Sequence, residues 1–395
     1  MRPVKTLTLI LQISVCAALL FLFPAQGMAK EPADLAPQAV SAILMEASTG
    51  TILFEKNAHK KLPPASITKI MTMLLIMEAV EEGRITLDEQ VRVSEHAASM
   101  GGSQIFLEPG EQMSVRDLLK GIAVASGNDA SVAMAEHIAG TEEAFVEMMN
   151  RKAQELGLKD THFMNASGLP EEGHVSSAYD IAVMSRELLK YDTITQYTSI
   201  YQDYLRQDSK NPFWLVNTNK LVRFYEGVDG LKTGYTSEAG FCLSATAKKG
   251  KMRLIAVVMG EPDTKSRNRE VSRLLDYAFA QYTVHPLYEK GDFIAHVQVN
   301  KGAQRQIPLH APQQIGILMQ KGEKIQDYDT EIVLNEPLQA PLKQGDVLGY
   351  VRVLKEGQTR LTYELTVPHD IPKANIWQLF KRTSKDLLFP FKSGN

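Results

Sequence analysis

From Ala39 to Phe54 apolar and polar positions alternate around Gly50, which predicts a β-hairpin. After Pro63-Pro64, a run opened by Ser66 and carried to Glu82 is apolar on most sides (Ile67, Ile70, Met71, Leu74, Leu75, Met77) and is closed by Gly83. That pattern predicts a buried central helix whose methionines are core filler. Helical spacing returns from Ser114 up to Ser126-Gly127-Asn128, at once again as far as Gly140, and from Thr141 to Leu156. A Gly- and Pro-punctuated loop over Asn165 to His174 precedes one more helix from Ala178. Beyond Tyr225 the period shortens. Gly240 to Ala247 and Met252 to Met259 are β-rich runs joined by Lys248-Lys249-Gly250-Lys251, and Ser266 to Tyr282 is again helical. Strands, a block of helices, then strands and a helix predict an α+β fold with an antiparallel sheet.

His285-Pro286 reads as a boundary, followed to about Pro372 by short alternating segments (IAHVQVN, TEIVLN, DVLGYVRVL, TRLTYELTV) with the pattern of a small β-sandwich. Over Ile376 to Phe391, Ile376, Trp377, Phe380, Leu387, Leu388 and Phe391 share one helical face, with Lys381, Arg382 and Lys385 opposite. Such a basic amphipathic helix is too short and charged to span a bilayer but suits its interface; the bland reading is a terminal helix docked on the β module. At the other end, Arg2 and Lys5 precede an apolar run from Leu7 to Phe23, with Gly27 and Ala29 at cleavage spacing, the layout of a secretory signal peptide. The expected organisation is a leader over 1–29, a main domain over 30–284, a β-sandwich over 285–372 and an amphipathic segment over 373–395, exported to the outer face of the cytoplasmic membrane.

Composition narrows the field only a little. The net charge of −3, with both signs spread along the chain, gives no nucleic-acid signature. Of the two cysteines, Cys16 lies in the apolar leader and Cys242 stands alone, so no internal disulfide is expected and Cys242 reads as a small buried residue. No His pair has metal-ligand spacing, and neither a metal nor a cofactor is expected.

Three short motifs carry candidate chemistry: Ser66-Ile67-Thr68-Lys69, Ser126-Gly127-Asn128 and Lys232-Thr233-Gly234. On a helix, i and i+3 are neighbours, so Lys69 lies beside the Ser66 hydroxyl. A serine becomes nucleophilic when a base takes its proton, and a lysine can be that base only when neutral. Burial and a second nearby cation both lower a lysine's pKa, and a helix N-terminus offers free N–H groups to developing negative charge. Ser126 can relay a proton, and Asn128 can hold Lys69 or a substrate amide. Lys232 and Thr233, on a strand edge, suit a carboxylate, while Gly234 permits close approach to the backbone. Each string is weak by itself: an isolated SxxK is usually a cap with an exposed lysine, and Ser393-Gly394-Asn395 repeats the second motif at the terminus.

Taken in this order, with PPASITKIMT, GGSQIFLEPGE, VASGNDAS, NASGLP and VDGLKTGYT, the chain resembles the serine D-Ala-D-Ala carboxypeptidases among the low-molecular-mass penicillin-binding proteins. The resemblance implies Ser66 as nucleophile, Lys69 as base, and Ser126 and Asn128 in the proton and hydrogen-bond network. It implies Lys232 and Thr233 on the substrate carboxylate, the N–H groups of Ser66 and Tyr235 as oxyanion hole, and Arg269 as a further carboxylate ligand. Tyr235 departs from the histidine of many relatives, which touches substrate preference rather than the N–H. The implied substrates are peptidoglycan stem peptides ending in D-Ala-D-Ala, processed in cell-wall maturation during growth or sporulation. β-Lactams are the implied covalent inhibitors. An endopeptidase or transpeptidase could use the same residues. A β-lactamase fits less well, for want of a glutamate placed to activate a deacylating water.

Overall fold

The structure, a computed structural model, describes residues 34–335, 337–378 and 380–381. The leader expected over 1–29 lies outside the described residues, as does most of the amphipathic segment expected over 373–395. Contacts divide the chain into Met1–Leu35 and Ala36–Asn395, and the strands and helices with described residues belong to the second unit.

The hairpin forms as strands β1 (Ser41–Glu46) and β2 (Ile52–Lys56). They join β3 (Val228–Thr236), β4 (Gly240–Lys249) and β5 (Met252–Glu261) in an antiparallel sheet of order β2-β1-β5-β4-β3. The first and last thirds of this domain therefore meet, and β3 is an edge strand. The inner strands β1 and β5 are buried along nearly their whole length, as strands covered on both faces must be.

Between β2 and β3 runs the helical block: α1 (Lys69–Glu81), α2 (Val115–Lys120), α3 (Asn128–Ala139), α4 (Glu142–Glu155) and α5 (Ala178–Leu188). The helix α6 (Thr264–Gln281) packs on β4 and β5. Ser114, Thr141, Ser177 and Asp263 cap α2, α4, α5 and α6 by accepting the N–H three residues on, so these starts were written locally. The central helix α1 buries all of Lys69–Met77 and packs against α3 and α5. Cys242 is a buried free thiol in β4.

The distal β module comprises β6 (Tyr282–Tyr288), β7 (Phe293–Gln298), β8 (Gln306–His310), β9 (Ile315–Gln320), β10 (Tyr328–Leu334), β11 (Val347–Lys355) and β12 (Gln358–Thr366). These form the pairs β6–β9 and β7–β8 and the triplet β10-β11-β12, around a core that includes Val297, Ile307, Ile317, Val351 and Leu365. His285-Pro286 lies inside β6, the first strand of the module, which follows α6 directly, and Pro286 is tolerated there beside a register irregularity. After the module, a helical turn starting at 376 leaves Ile376 (85%), Trp377 (75%) and Phe380 (64%) exposed.

Candidate active site

Ser66 does not open the α-helix directly. Pro63-Pro64 and a left-handed Ala65 (φ 48°) lead into a 3₁₀ turn, Ala65–Thr68, and α1 starts at Lys69. A 3₁₀ turn has three residues per turn, so side chains at i and i+3 eclipse. That brings Lys69 Nζ to 3.0 Å from Ser66 Oγ. The amine also meets Asn128 Oδ1 at 2.6 Å and the Ser167 carbonyl at 2.5 Å. Burial holds the Lys69 pKa well below the usual lysine value, the nearby Lys232 charge lowers it further, and Asp129 opposes them. A neutral amine has two N–H groups and a lone pair. Two of its three partners are carbonyl oxygens, which only accept. The lone pair is therefore left facing the Ser66 hydroxyl.

The second motif sits where α2 widens into a π turn, Gly121–Ala125, and stops at Ser126 in the left-handed region (φ 64°, ψ 31°). A non-glycine residue there costs about 1–3 kcal/mol, held by the surrounding structure. Ser126 is buried, and among the described residues its hydroxyl makes no hydrogen bond. Asn128 opens α3, with its Oδ1 on Lys69, and its Nδ2 donates one N–H to the Gly101 carbonyl at 2.7 Å. Holding Lys69 is the role its Oδ1 performs here, and the second Nδ2 hydrogen is left for a substrate amide. Neighbouring Asp129 ties down the 101–107 loop by accepting the N–H groups of Ile105 and Leu107.

The third motif lies on β3. Lys232 is buried, its Nζ donates to the Thr233 carbonyl at 2.9 Å, and burial followed by the Arg267 charge pushes its pKa down to about 7. Thr233 Oγ1 bonds Thr218 Oγ1 at 2.7 Å, which adds a hydroxyl that the sequence did not mark. What approaches Gly234 closely is the protein itself: a Cβ there would stand 2.9 Å from the Pro64 carbonyl and 3.1 Å from Ala65 Cβ. The glycine therefore seats β3 against the nucleophile turn. The Tyr235 side chain is exposed and stacks on Phe241, with ring centroids 4.3 Å apart. Arg269 is not brought to this group, since it bonds Ser266 Oγ at 3.1 Å and faces Glu261 and Asp263. The buried Arg267 is the arginine whose charge reaches Lys232. Two positions along a helix turn through about 200°, so residues two apart point to opposite sides.

A fourth segment, 165–168, had no role in the motif reading beyond its place in the NASGLP string. Its Ser167 carbonyl is a direct partner of Lys69. Thr72 donates to the Ala166 carbonyl at 2.6 Å, and Asn165 Oδ1 accepts the Gly168 N–H at 2.7 Å. Gly168 (φ 82°) is pressed so close that a Cβ would come within 1.9 Å of the Ala65 carbonyl. His174 completes the clamp. Its Nδ1 accepts the Met164 N–H at 3.2 Å, which leaves Nε2 as the donor to Thr68 Oγ1 at 2.8 Å. Burial pushes the His174 pKa down to about 4. Beyond this turn a groove of about 640 Å³ opens, lined by Pro64, Ala65, Gly168, Leu169, His174 and Thr236 among others. Among the described residues, no group of three or more His, Cys, Asp or Glu side chains could hold a metal.

Residues 27–263 match the family described as D-alanyl-D-alanine carboxypeptidase, and residues 282–373 match the C-terminal domain of penicillin-binding protein 5. The chain is 54% identical over 357 residues to the D-alanyl-D-alanine carboxypeptidase DacF of Bacillus subtilis, covering 90% of this chain and 92% of that one. Among solved structures it is similar to penicillin-binding protein 5 of Haemophilus influenzae, with 34% identity, a TM-score of 0.67, and 85% and 98% of the two chains covered. It is also similar to penicillin-binding protein D2 of Listeria monocytogenes in its ampicillin-bound form, with 30% identity, a TM-score of 0.56, and 61% and 98% covered.

Proposed function

The chain belongs to the D-alanyl-D-alanine carboxypeptidase family of low-molecular-mass penicillin-binding proteins, and from that premise we propose that it removes the terminal D-alanine of peptidoglycan stem peptides through an acyl-enzyme on Ser66. The observation that carries this reading is the Lys69 amine, 3.0 Å from Ser66 Oγ, with two carbonyl acceptors on its other sides.

Neutral Lys69 takes the Ser66 proton as Oγ attacks the carbonyl of the penultimate D-Ala. The developing oxyanion is received by the N–H groups of Ser66 and Tyr235, a type of preorganised stabilisation worth about 3–4 kcal/mol per donor. The carbon–nitrogen bond breaks, and the proton passes from Lys69 by way of the Ser126 hydroxyl to the departing amine. Water then attacks the Ser66 ester, giving up a proton to Lys69; the carbon–Oγ bond breaks, and Lys69 passes that proton to Ser66 Oγ, which restores the hydroxyl and the neutral amine. Lys232, Thr233 and Arg267 hold the terminal carboxylate. That carboxylate lies near 232–233 and the reacting carbonyl near the Tyr235 N–H, a span of two to three strand residues at about 3.3 Å each. The rest of the peptide therefore leaves past Thr236 into the groove beside the 168–174 loop.

A β-lactam acylates Ser66 by the same route, in keeping with the ampicillin-bound Listeria neighbour. The leader over 1–29 exports the protein, and the exposed Ile376, Trp377 and Phe380 begin a helix that lies on the outer face of the cytoplasmic membrane. The test is mass spectrometry of a pentapeptide ending in D-Ala-D-Ala, incubated with wild type and Ser66→Ala. Loss of one alanine with wild type only is the expected result. An unchanged peptide with both proteins overturns the reading.

A further inference from the structure

We propose that Glu142 is a positioning residue for this reaction: it holds the 165–168 segment so that the Ser167 carbonyl keeps the Lys69 amine aimed at Ser66. The inference rests on the reading of Lys69 as the base.

Glu142 is the first residue of α4, directly after its cap Thr141. A carboxylate there ordinarily turns back on its own helix N-terminus. This one reaches across to another segment, and its Oε1 accepts the Ala166 N–H at 2.9 Å. The Ala166 carbonyl is pinned from the opposite side by the Thr72 hydroxyl at 2.6 Å. Ala166 is thus fixed through both its N–H and its C=O, and the next carbonyl along the chain is the Ser167 oxygen on Lys69. Ala166 and Ser167 are completely buried, so no solvent molecule at the surface replaces a lost partner. The Glu142 side chain is only 11% exposed, and it is steadied by His96, whose Nε2 lies 3.8 Å from Oε2 while Nδ1 bonds Glu136 at 3.0 Å.

The consequence for the base is stereochemical. With the Ser167 carbonyl in place, both N–H groups of the neutral amine are taken and the lone pair has one direction left. If that carbonyl drifts, the amine turns freely about its last bond and faces Ser66 for part of the time. The ammonium form also loses an acceptor, so its pKa falls. The other charged and titratable groups around Lys69 are Lys232, Asp129 and His174, and those around Glu142 are His96, Glu136 and Glu143. None of them is altered in the variants below.

The test is the second-order rate of acylation of the full chain by a fluorescent penicillin, measured as a function of pH, with melting temperature recorded for every variant. Glu142→Ala is expected to lower the maximal rate by about ten- to a hundredfold and to move the acid limb to lower pH. Glu142→Gln, whose amide oxygen still accepts the Ala166 N–H, is expected to keep the limb in place and most of the rate. If Glu142→Ala does not fold, Thr72→Val removes the opposite pin and should move the limb the same way. A limb that stays at the wild-type position in Glu142→Ala, or in Thr72→Val where that is the variant measured, overturns the proposal, and so do equal losses in Glu142→Ala and Glu142→Gln. Failure of the underlying reading looks different: Lys69→Ala would then acylate like wild type.

Discussion

Replacing Asn128 by aspartate tests the base directly, because the change is nearly isosteric and puts a negative charge where Oδ1 now stands 2.6 Å from Lys69 Nζ. Two unit charges centred about 4 Å apart attract by about 4 kcal/mol at an effective dielectric of about 20, equivalent to about three pKa units. Burying the new carboxylate returns part of that gain, so a rise of about two units in the Lys69 pKa is expected. The wild-type amine is held low by burial and by Lys232. The variant undoes this, and at pH values below the raised pKa the amine is protonated and the base is lost. The sign is definite: a raised pKa carries the acid limb of acylation to higher pH, and activity returns as pH climbs through the new value. The variant also loses the donor to the Gly101 carbonyl, at a stability cost of about 1–3 kcal/mol, which a thermal melt would register separately. The assay is the rate of penicillin acylation from pH 5 to 10. A limb at its wild-type position, or a loss that alkaline pH does not restore, would refute Lys69 as the proton acceptor.

Arg267→Ala should lower kcat/KM for the D-Ala-D-Ala peptide by about ten- to a hundredfold, whereas Arg269→Ala should stay within about twofold; steady-state kinetics on both variants checks the pair. Glu261 is buried with neither carboxylate oxygen hydrogen-bonded, and burial beside Glu270 pushes its pKa up to about 8. Its folded value exceeds its unfolded one, so this group's contribution to stability is intact in acid and is lost as pH rises from about 4.3 through 8. Glu261→Gln should therefore raise the melting temperature at pH 8 and leave it nearly unchanged at pH 4, read by calorimetry. Trp377→Ser with Phe380→Ser should abolish sedimentation of the full chain with anionic vesicles while leaving peptide hydrolysis intact; unchanged sedimentation would exclude the helix as the membrane contact.

Much of the frame was legible because it is encoded over short distances. The hairpin at Gly50, the helix after Pro63-Pro64, the caps at Ser114 and Thr141, and the pair β4–β5 all follow from local period and punctuation. Three strands of the distal module were missed, β6, β8 and β9. The apolar run of β9, IGILMQ, carries no alternation to mark it. A proline at a strand irregularity looks, in sequence, like a proline in a linker, so His285-Pro286 marked the change of pattern without showing the strand that runs through it.

The site divides along the same line. The sequence by itself determined the chemical inventory: a serine and a lysine three positions apart on a helical turn, a polar junction between two helices, and a cation-bearing edge strand. It could state that burial and a second cation would lower the lysine's pKa, but not which cation. Tertiary structure decided that Lys232 supplies that charge, that Asn128 turns its oxygen to the amine, and that Arg267 rather than Arg269 stands behind Lys232. It alone revealed the Ser167 carbonyl and its supports, Thr72 and Glu142. A backbone carbonyl carries no residue-type signature, and a contact between residues 98 positions apart has no local period to betray it. Side-chain identity is written in the sequence, whereas the direction in which a lone pair points depends on three distant segments packing against one another.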